Sequence, residues 1–178
     1  GMVGNNSSGT TSIQYGVTRD KVVSMQCLLS DGSEADFSAI PKEEFEAKKK
    51  GSTLEAMIYA SLYNELSDSE TQQKIAEQFP KPSIHRRNTG YAVDELLHNT
   101  VFDEKDERDF NLCKLLSGSE GTLAFTTEIT LQLDELPPVY SAMVATHYKT
   151  LEDCLGDVAP VMQHNLHTCE MMDKVILD

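Results

Sequence analysis

The chain has 178 residues, enough for one ordinary domain or one and a fraction. Its 39% hydrophobic and 25% charged residues are typical of a soluble globular protein that can pack a core. The 15 basic and 29 acidic side chains give a formal net charge of −14. This charge argues against non-specific nucleic-acid binding, because such binding depends on Lys and Arg that neutralise phosphates.

The cysteines are widely scattered along the chain, at Cys27, Cys113, Cys154 and Cys169. Without a CxxC pair they exclude a zinc ribbon and a dithiol redox motif. Cys27 lies in an apolar run and is predicted to be a small buried residue. Unpaired thiols favour a reducing compartment, so the predicted location is cytoplasmic, or peripheral to a membrane through another part of a longer protein. No apolar run approaches the roughly 18 residues of a spanning helix.

The sequence begins at residues 1–4 and ends at residues 175–178 in what is predicted to be the middle of a structural element. Natural termini are usually polar and frayed. The sequence is therefore expected to be a fragment of a longer protein.

Residues 1–12 consist almost entirely of glycine, amide and hydroxyl side chains. One interpretation is a disordered, low-complexity terminus. The other is a loop whose glycines present successive backbone N–H groups to a phosphate or another electron-rich ligand. Asn5 and Asn6 tolerate left-handed backbone conformations and can stabilise such a loop. Composition alone does not choose between the two.

A β-hairpin is predicted next. Residues 20–29 form an apolar run that indicates a buried strand, and Asp31-Gly32 is a turn signal. Residues 34–37 are predicted to be the returning strand of the hairpin.

Three helices are predicted in the middle of the chain. Residues 42–50 form a charged, exposed helix, and residues 53–66 carry leucine and isoleucine at four-residue spacing, which indicates a second helix. Residues 67–70 have a capping-box pattern, so a third helix is expected to run to about Phe79. Proline at positions 80 and 82 ends it.

A cationic patch follows at residues 85–91, with the sequence His85-Arg86-Arg87-Asn88-Thr89-Gly90-Tyr91. Two interpretations stay open for it. It is either a surface loop with the tyrosine packed inward, or a loop that brings an arginine and an amide close to an anionic ligand. Residues 94–98 are predicted to form a short helix, residues 99–108 a solvated acidic loop, and residues 109–116 a helical turn.

Residues 116–133 combine a glycine-rich turn with a strand. Gly118 and Gly121 lie three residues apart, and glycine permits a tight turn and a close approach of the backbone to a ligand. The strand is predicted to have one apolar face, because its large apolar residues share a parity. These residues are Leu123, Phe125, Ile129, Leu131 and Leu133. Taken alone, a tight turn before a strand is the simpler interpretation.

Pro137 and Pro138 mark a boundary, after which a second, incomplete α+β domain is predicted. It begins with an alternating strand over residues 139–148. Thr150 is predicted to cap a helix from residue 151 to about 166, which Pro160 kinks or interrupts. Residues 168–173 are predicted to begin a further element.

Four motifs in a fixed order together resemble one family. They are residues 1–9, residues 14–16 with 20–22, residues 88–91, and residues 118–123 with 126–127. In order and spacing they are similar to FAD-linked oxidases and dehydrogenases of the vanillyl-alcohol oxidase/p-cresol methylhydroxylase (PCMH) superfamily. The branch they resemble contains the glycolate oxidase flavoprotein subunit, cytochrome-type D-lactate dehydrogenase and D-2-hydroxyglutarate dehydrogenase. Residues 169–173 also resemble the start of that family's cap domain.

The resemblance implies an α+β fold that binds FAD. Residues 1–136 would be the second subdomain of a PCMH-type FAD-binding domain, with a mixed or antiparallel sheet flanked by helices, and residues 139–178 would begin a ferredoxin-like cap domain. Residues 1–9 would pass the flavin and its pyrophosphate, and residues 118–126 would lie near the ribityl and adenosine portions. The implied cofactor-binding residues are Gly1, Met2, Val3, Gly4, Asn5, Asn6, Ser7, Gly9, Tyr15, Gly16, Gly118, Glu120, Gly121, Phe125 and Thr126.

The implied activity is oxidation of a small 2-hydroxy acid, such as glycolate or D-lactate, by hydride transfer to flavin. The implied partners are FAD, the hydroxy acid, and an electron-transfer partner or a fused iron–sulfur domain, since residues 97–110 form a longer connection than in the simplest relatives. No catalytic residue or metal ligand is predicted in the chain. The family's phosphate loop is expected before Gly1, and its substrate- and metal-binding histidines are expected beyond Asp178. Surface or packing roles are expected for the histidines at 147, 164 and 167.

The sequence also departs from the family: where relatives often have alanine after the second glycine pair, this chain has Ser7-Ser8 and Ala124-Phe125. These changes are expected to alter side-chain packing more than backbone contacts.

A non-catalytic binding or regulatory module that retains the fold is the alternative function. A nucleotide hydrolase is disfavoured, because the sequence contains no GxxxxGK[ST].

Overall fold

A computed structural model describes residues 1–81, 83–84, 86–88 and 90–177 of the chain. The chain divides into two compact units: unit 1 comprises Gly1–Ser7 and Val17–Gln132, and unit 2 comprises Ser8–Gly16 and Leu133–Asp178. The helices are α1 (Ser12–Tyr15), α2 (Thr18–Lys21), α3 (Lys42–Lys48), α4 (Leu54–Leu66), α5 (Ser69–Gln78), α6 (Cys113–Leu116), α7 (Leu151–Val161) and α8 (Lys174–Leu177). The strands are β1 (Val22–Leu28), β2 (Glu34–Ile40), β3 (Phe110–Asn111) and β4 (Phe125–Leu131), and a 3₁₀ turn covers Val93–Leu96.

Unit 1 is built on an antiparallel sheet with the strand order β3-β2-β1-β4. The predicted hairpin is confirmed: β1 pairs with β2 from Leu28 opposite Glu34 to Ser24 opposite Ser38. The returning strand continues to Ile40, because residues beyond Phe37 also pair with the short strand β3. The α+β class is therefore confirmed for this unit.

The core of unit 1 lies between one face of the sheet and the helices. Met25 and Cys27 of β1 and Phe37 of β2 are buried, and their neighbours on the other parity are not. They pack in one cluster with Phe45 of α3 and Tyr59 of α4. Alternation in the strands and the four-residue spacing in α4 therefore serve the same core. The burial predicted for Cys27 is confirmed.

The three predicted helices are present, with small shifts at their ends. The Thr53 side chain accepts a hydrogen bond from the Ala56 amide at 3.2 Å and caps α4. At α5 the cap is Asp68, which accepts from the Thr71 amide at 2.8 Å, one residue later than a capping box starting at Ser67 would place it. The helix that was predicted to be charged and exposed also buries one residue completely, Phe45 at 0% exposure.

The helical turn predicted over residues 109–116 is only half correct. Phe110 and Asn111 pair with Ile40 and Ala39 as strand β3, and the helix begins at Cys113. A strand of two residues is too short to show an alternation in sequence. Cys113 is fully buried, and this burial raises the pKa of its thiol to about 12.

Strand β4 is where it was predicted, but it contains a β-bulge. The consecutive β1 residues Gln26 and Cys27 lie opposite Glu128 and Thr126, so Thr127 is an extra residue in β4. A bulge of this kind leaves one residue unpaired and interrupts the regular alternation of side chains along the strand.

The prediction that β4 has one apolar face is therefore wrong. Phe125 lies opposite Leu28 and Ile129 lies opposite Met25, and these two β1 positions point to opposite faces of the sheet. Because β4 is also at the edge of the sheet, its apolar residues remain accessible: Phe125 is 70% exposed and Leu131 is 42% exposed.

Unit 2 matches the predictions less well. Thr150 caps α7 as predicted, accepting a hydrogen bond from the Asp153 amide at 3.1 Å. The helix ends at Val161, directly after Pro160, and does not reach residue 166. Residues 168–173 form no helix or strand, and α8 begins at Lys174.

The strand predicted over residues 139–148 is wrong. This segment has no helix or strand assignment, and Val139, Tyr140 and Met143 are each 92% exposed. Alternation alone does not make a strand, because the backbone groups need a neighbouring strand to pair with. None of the helices in the described residues is long and apolar enough to cross a bilayer.

Candidate functional site

The first loop, Gly1–Ser7, is ordered by its own backbone. The amides of Asn5, Asn6 and Ser7 donate to the carbonyl oxygens of residues 1, 3 and 2 at 3.1, 3.1 and 2.9 Å. Asn6 has a left-handed φ of 51° and is completely buried. Of the two interpretations of this segment, these contacts support the structured loop for residues 1–7, with Asn6 in the conformation that its side chain tolerates.

The second loop, residues 116–122, has a left-handed backbone at three positions. Gly118, Glu120 and Gly121 have φ values of 93°, 55° and 73°. The Ser119 amide and hydroxyl both donate to the carbonyl oxygen of Leu116, at 3.2 and 2.8 Å. This backbone path explains the glycines, since positive φ is strained for residues with a Cβ.

The two loops are hydrogen-bonded to each other. The Gly118 amide donates to the Val3 carbonyl at 3.1 Å, and the Glu120 amide donates to the Gly4 carbonyl at 2.8 Å. Two loops whose bonded residues lie 115 and 116 positions apart in sequence therefore form a single surface. The amides of Gly118 and Glu120 are occupied by this pairing and are not available to a ligand.

Other amides of the same two loops remain available. Those of Val3, Gly4 and Gly121 have no hydrogen-bond acceptor among the residues that the structure describes. Unpaired backbone N–H groups on adjacent turns are suited to an anion such as a phosphate. These amides are therefore candidate donors for an anionic ligand.

The segment of the cationic patch, residues 85–91, contacts both loops. The side-chain amide of Asn6 donates to the Arg87 carbonyl at 3.2 Å. Tyr91 Oη lies 2.6 Å from Thr122 Oγ1, within hydrogen-bonding distance. His85 and Thr89, which belong to this segment, lie outside the described residues, as does Pro82.

One arginine of the cationic patch, Arg87, is paired internally. Arg87 forms ion pairs with Asp94 and with Glu95, the latter at 2.8 Å. Burial alone would lower the pKa of Arg87, but its hydrogen bonds to the two carboxylates outweigh that effect and raise it. Tyr91 is 44% exposed. The tyrosine is therefore not packed inward, as the first interpretation had it. The Arg87 guanidinium is already bound to carboxylates, so it is not the arginine that the second interpretation needs.

Sequence reasoning missed Arg19, which lies behind both loops. It is 4% exposed, its amide donates to Asn6 Oδ1 at 2.7 Å, and its guanidinium donates to the carbonyls of Lys114 and Ser117 at 2.8 and 2.7 Å. Burial lowers the pKa of Arg19. The available signal was its position directly before the motif residues 20–22, but a single sequence does not reveal that an arginine is buried.

The remaining predicted residues belong to β4 or to unit 2. Phe125 is exposed on β4, and Thr126 Oγ1 is 3.8 Å from Cys27 Sγ. Gly9, Tyr15 and Gly16 belong to unit 2, where the Tyr15 ring contacts that of His167 at 6.0 Å between centroids. This contact fits the packing role that was expected for the histidine.

A cavity of about 110 Å³ lies on the outer face of the sheet, away from the loops. Its polar lining consists of Ser24, Gln26, Asp36, Ser38, Glu128 and Thr130. Ligand pockets for small molecules usually measure about 300–1,000 Å³, so this cavity is too small to hold a flavin. No group of three or more His, Cys, Asp or Glu in the described part of the chain is arranged to hold a metal ion.

Comparison with known proteins finds relatives along the whole chain. It is 32% identical over 178 residues to D-2-hydroxyglutarate dehydrogenase of Escherichia coli strain K12 and, equally, 32% identical over 178 residues to the Pantoea ananatis enzyme of that name. Each alignment covers 100% of this chain and 16% of the relative. The family resemblance is confirmed.

A relative with a different name also matches part of the chain. A D-lactate dehydrogenase of Anaerostipes hadrus is 35% identical over 77 residues, which cover 42% of this chain and 16% of that enzyme. The chain thus spans only about a sixth of the length of these curated relatives. No family model matches the chain, and no solved structure gives a significant match.

Proposed function

We propose that this chain is part of an FAD-dependent dehydrogenase of a small 2-hydroxy acid, and that unit 1 forms one wall of the cofactor site. The observation that carries the proposal is the pair of hydrogen bonds joining the first and second loops, because it brings the predicted cofactor motifs onto one surface. The names of the relatives, D-2-hydroxyglutarate and D-lactate dehydrogenase, support the substrate class.

The residues present fit a nucleotide cofactor. The amides of Val3, Gly4 and Gly121 would hold its phosphate oxygens, and Tyr91 and Thr122 would border the same surface. The chemistry supplied by bound FAD is acceptance of a hydride from the substrate α-carbon. The contribution of this chain would be to bind and orient the cofactor, while the residues that act on the substrate would lie in other parts of the protein.

The finer assignments belong to the same proposal. Residues 1–136 would be the second subdomain of a PCMH-type FAD-binding domain, and residues 139–178 would begin a ferredoxin-like cap domain. Electrons would pass from the flavin to an electron-transfer partner or to a fused iron–sulfur domain. The protein would work in the cytoplasm or at the periphery of a membrane.

Anaerobic reduction of the full-length protein tests this proposal. The purified protein should contain FAD, and its visible flavin absorbance should be lost on addition of D-2-hydroxyglutarate or D-lactate but not of the L enantiomers. A protein that contains FAD but is reduced by no 2-hydroxy acid would contradict the substrate class. A full-length protein that neither contains nor binds FAD in a fluorescence-quenching titration would favour a non-catalytic module.

The isolated 178 residues are expected to bind FAD weakly or not at all, because the family resemblance implies that another FAD-binding subdomain, outside these residues, would complete the site. The same titration on the purified chain checks this point. Stoichiometric, tightly held flavin in the isolated chain would show that the paired loops are sufficient for binding.

A further inference from the structure

Arg19 is buried at the junction of the two loops. Its backbone and its side chain act on different loops: the amide donates to Asn6 Oδ1 at 2.7 Å, while the guanidinium reaches carbonyl groups that precede the second loop or lie in it. Asp20, the next residue, accepts a hydrogen bond from the Val17 amide at 3.0 Å and fixes the turn that carries Arg19.

The guanidinium uses its fork of donors. Nε donates to the Lys114 carbonyl at 2.8 Å and Nη2 donates to the Ser117 carbonyl at 2.7 Å. These carbonyls lie in the last turn of α6 and directly after it, where helical carbonyls lack a partner within the helix. A lysine ammonium is a point charge on a flexible stem and does not reproduce two divergent bonds of fixed geometry.

Gly118 is packed directly against this guanidinium. A Cβ at Gly118 would lie 2.8 Å from Arg19 Nη2 and 3.4 Å from the Cβ of Asn6. The backbone of the second loop therefore rests on the arginine and on the first loop together.

Burial lowers the pKa of Arg19, as does the nearby Arg87. The carboxylates of Glu95 and Asp94 act in the opposite direction and favour the charged form.

We propose that Arg19 is a positioning residue for the cofactor-binding surface. Through Asn6 it fixes the first loop, and through the Ser117 carbonyl it fixes the second, so that the free amides of the two loops form one surface. This inference rests on the proposed function, because the surface that Arg19 would position is the proposed FAD wall.

The test uses the full-length protein with Arg19→Lys and Arg19→Gln. The first keeps the charge without the fork, and the second keeps a donor without the charge. In either variant, FAD would have to order the loops without the lost charged hydrogen bond. We therefore expect the affinity for FAD to be weaker by about 10- to 100-fold. Hydrogen–deuterium exchange should also be faster in the peptides that contain the Gly118 and Glu120 amides, whether or not FAD is present.

Asn99→Ala is the matched control. Asn99 is 2% exposed and equally structural, since its side chain donates to the Leu96 carbonyl at 2.7 Å and accepts from the Val101 amide at 3.1 Å. It should lower the melting temperature without changing FAD affinity or the exchange of the second loop.

The outcomes separate the two claims. If the wild-type protein binds no FAD, the proposed function fails, and the exchange measurement still decides whether Arg19 couples the loops. If the wild type binds FAD but Arg19→Lys leaves affinity and loop exchange unchanged, the positioning role is wrong. Equal losses of FAD affinity in Arg19→Lys and Asn99→Ala would mean that Arg19 affects binding only through the general stability of the protein. This result would also overturn the proposal.

Discussion

Replacing Gly118 with alanine should lower the free energy of unfolding of the chain by about 2–5 kcal/mol. Two causes add: a φ of 93° is strained for a residue with a Cβ, at about 1–2 kcal/mol, and disturbing a buried hydrogen bond costs about 1–3 kcal/mol. The disturbed bond is that from Arg19 Nη2, because the new Cβ would lie 2.8 Å from it. Urea unfolding followed by far-UV circular dichroism measures the loss, since the sequence contains no tryptophan.

Gly121→Ala is the control for this substitution. Gly121 has a similar φ of 73°, but nothing lies within 4 Å of the position of its Cβ. It should therefore show only the backbone strain, about 1–2 kcal/mol. Equal losses in the two variants would mean that the contact between Gly118 and Arg19 contributes nothing.

Replacing Phe45 with alanine should have the largest effect on stability, about 3–5 kcal/mol. Phe45 has no exposed surface and packs edge-on against the rings of Phe110 at 4.7 Å and Tyr59 at 5.4 Å between centroids. These rings come from α3, β3 and α4, so the resulting cavity would lie where the helices meet the edge of the sheet. The same urea measurement applies.

Phe125→Ala removes the same number of atoms from an exposed site. Phe125 is 70% exposed on the edge strand β4, so its loss should change the free energy of unfolding by no more than about 0.5 kcal/mol. If Phe125→Ala lowered the free energy of unfolding as much as Phe45→Ala, this would contradict the placement of the core. The core lies between the helices and the face of β1 and β2 that carries Met25, Cys27 and Phe37.

The elements of unit 1 that sequence predicted well are those specified by local signals. Asp31-Gly32 next to the apolar run of β1 was sufficient for the hairpin, and the four-residue spacing of leucine and isoleucine was sufficient for α4. In these cases the turn chemistry, the propensity and the burial pattern agree, which is the condition under which local prediction succeeds.

Prediction failed where the structure depends on pairing over long distances. The bulge at Thr127 depends on the register against β1, and the two residues of β3 are defined only by their bonds to β2. Residues 139–148 alternate as a strand does, yet the alternation specifies no partner. An alternating pattern predicts which side chains would share a face of a sheet. It does not predict which strand the backbone would pair with.

The candidate site divides in the same way. Its motifs could be found from the sequence because glycines, asparagines and hydroxyl residues cluster in recognisable runs. Their connection could not be found, because it depends on contacts such as that between Arg19 and Ser117, which lie 98 positions apart. The sequence therefore predicted which segments form the surface, while the burial of Asn6 and Arg19 became evident only in the structure.

Hydrogen–deuterium exchange of the full-length protein with and without FAD tests most directly whether the paired loops form a wall of the cofactor site. FAD should slow exchange in peptides covering Gly1–Ser7 and residues 116–122, and should leave α5 unchanged, because that helix contributes to neither loop. FAD that binds stoichiometrically while both loops exchange at the rate of the free protein would contradict the proposed site.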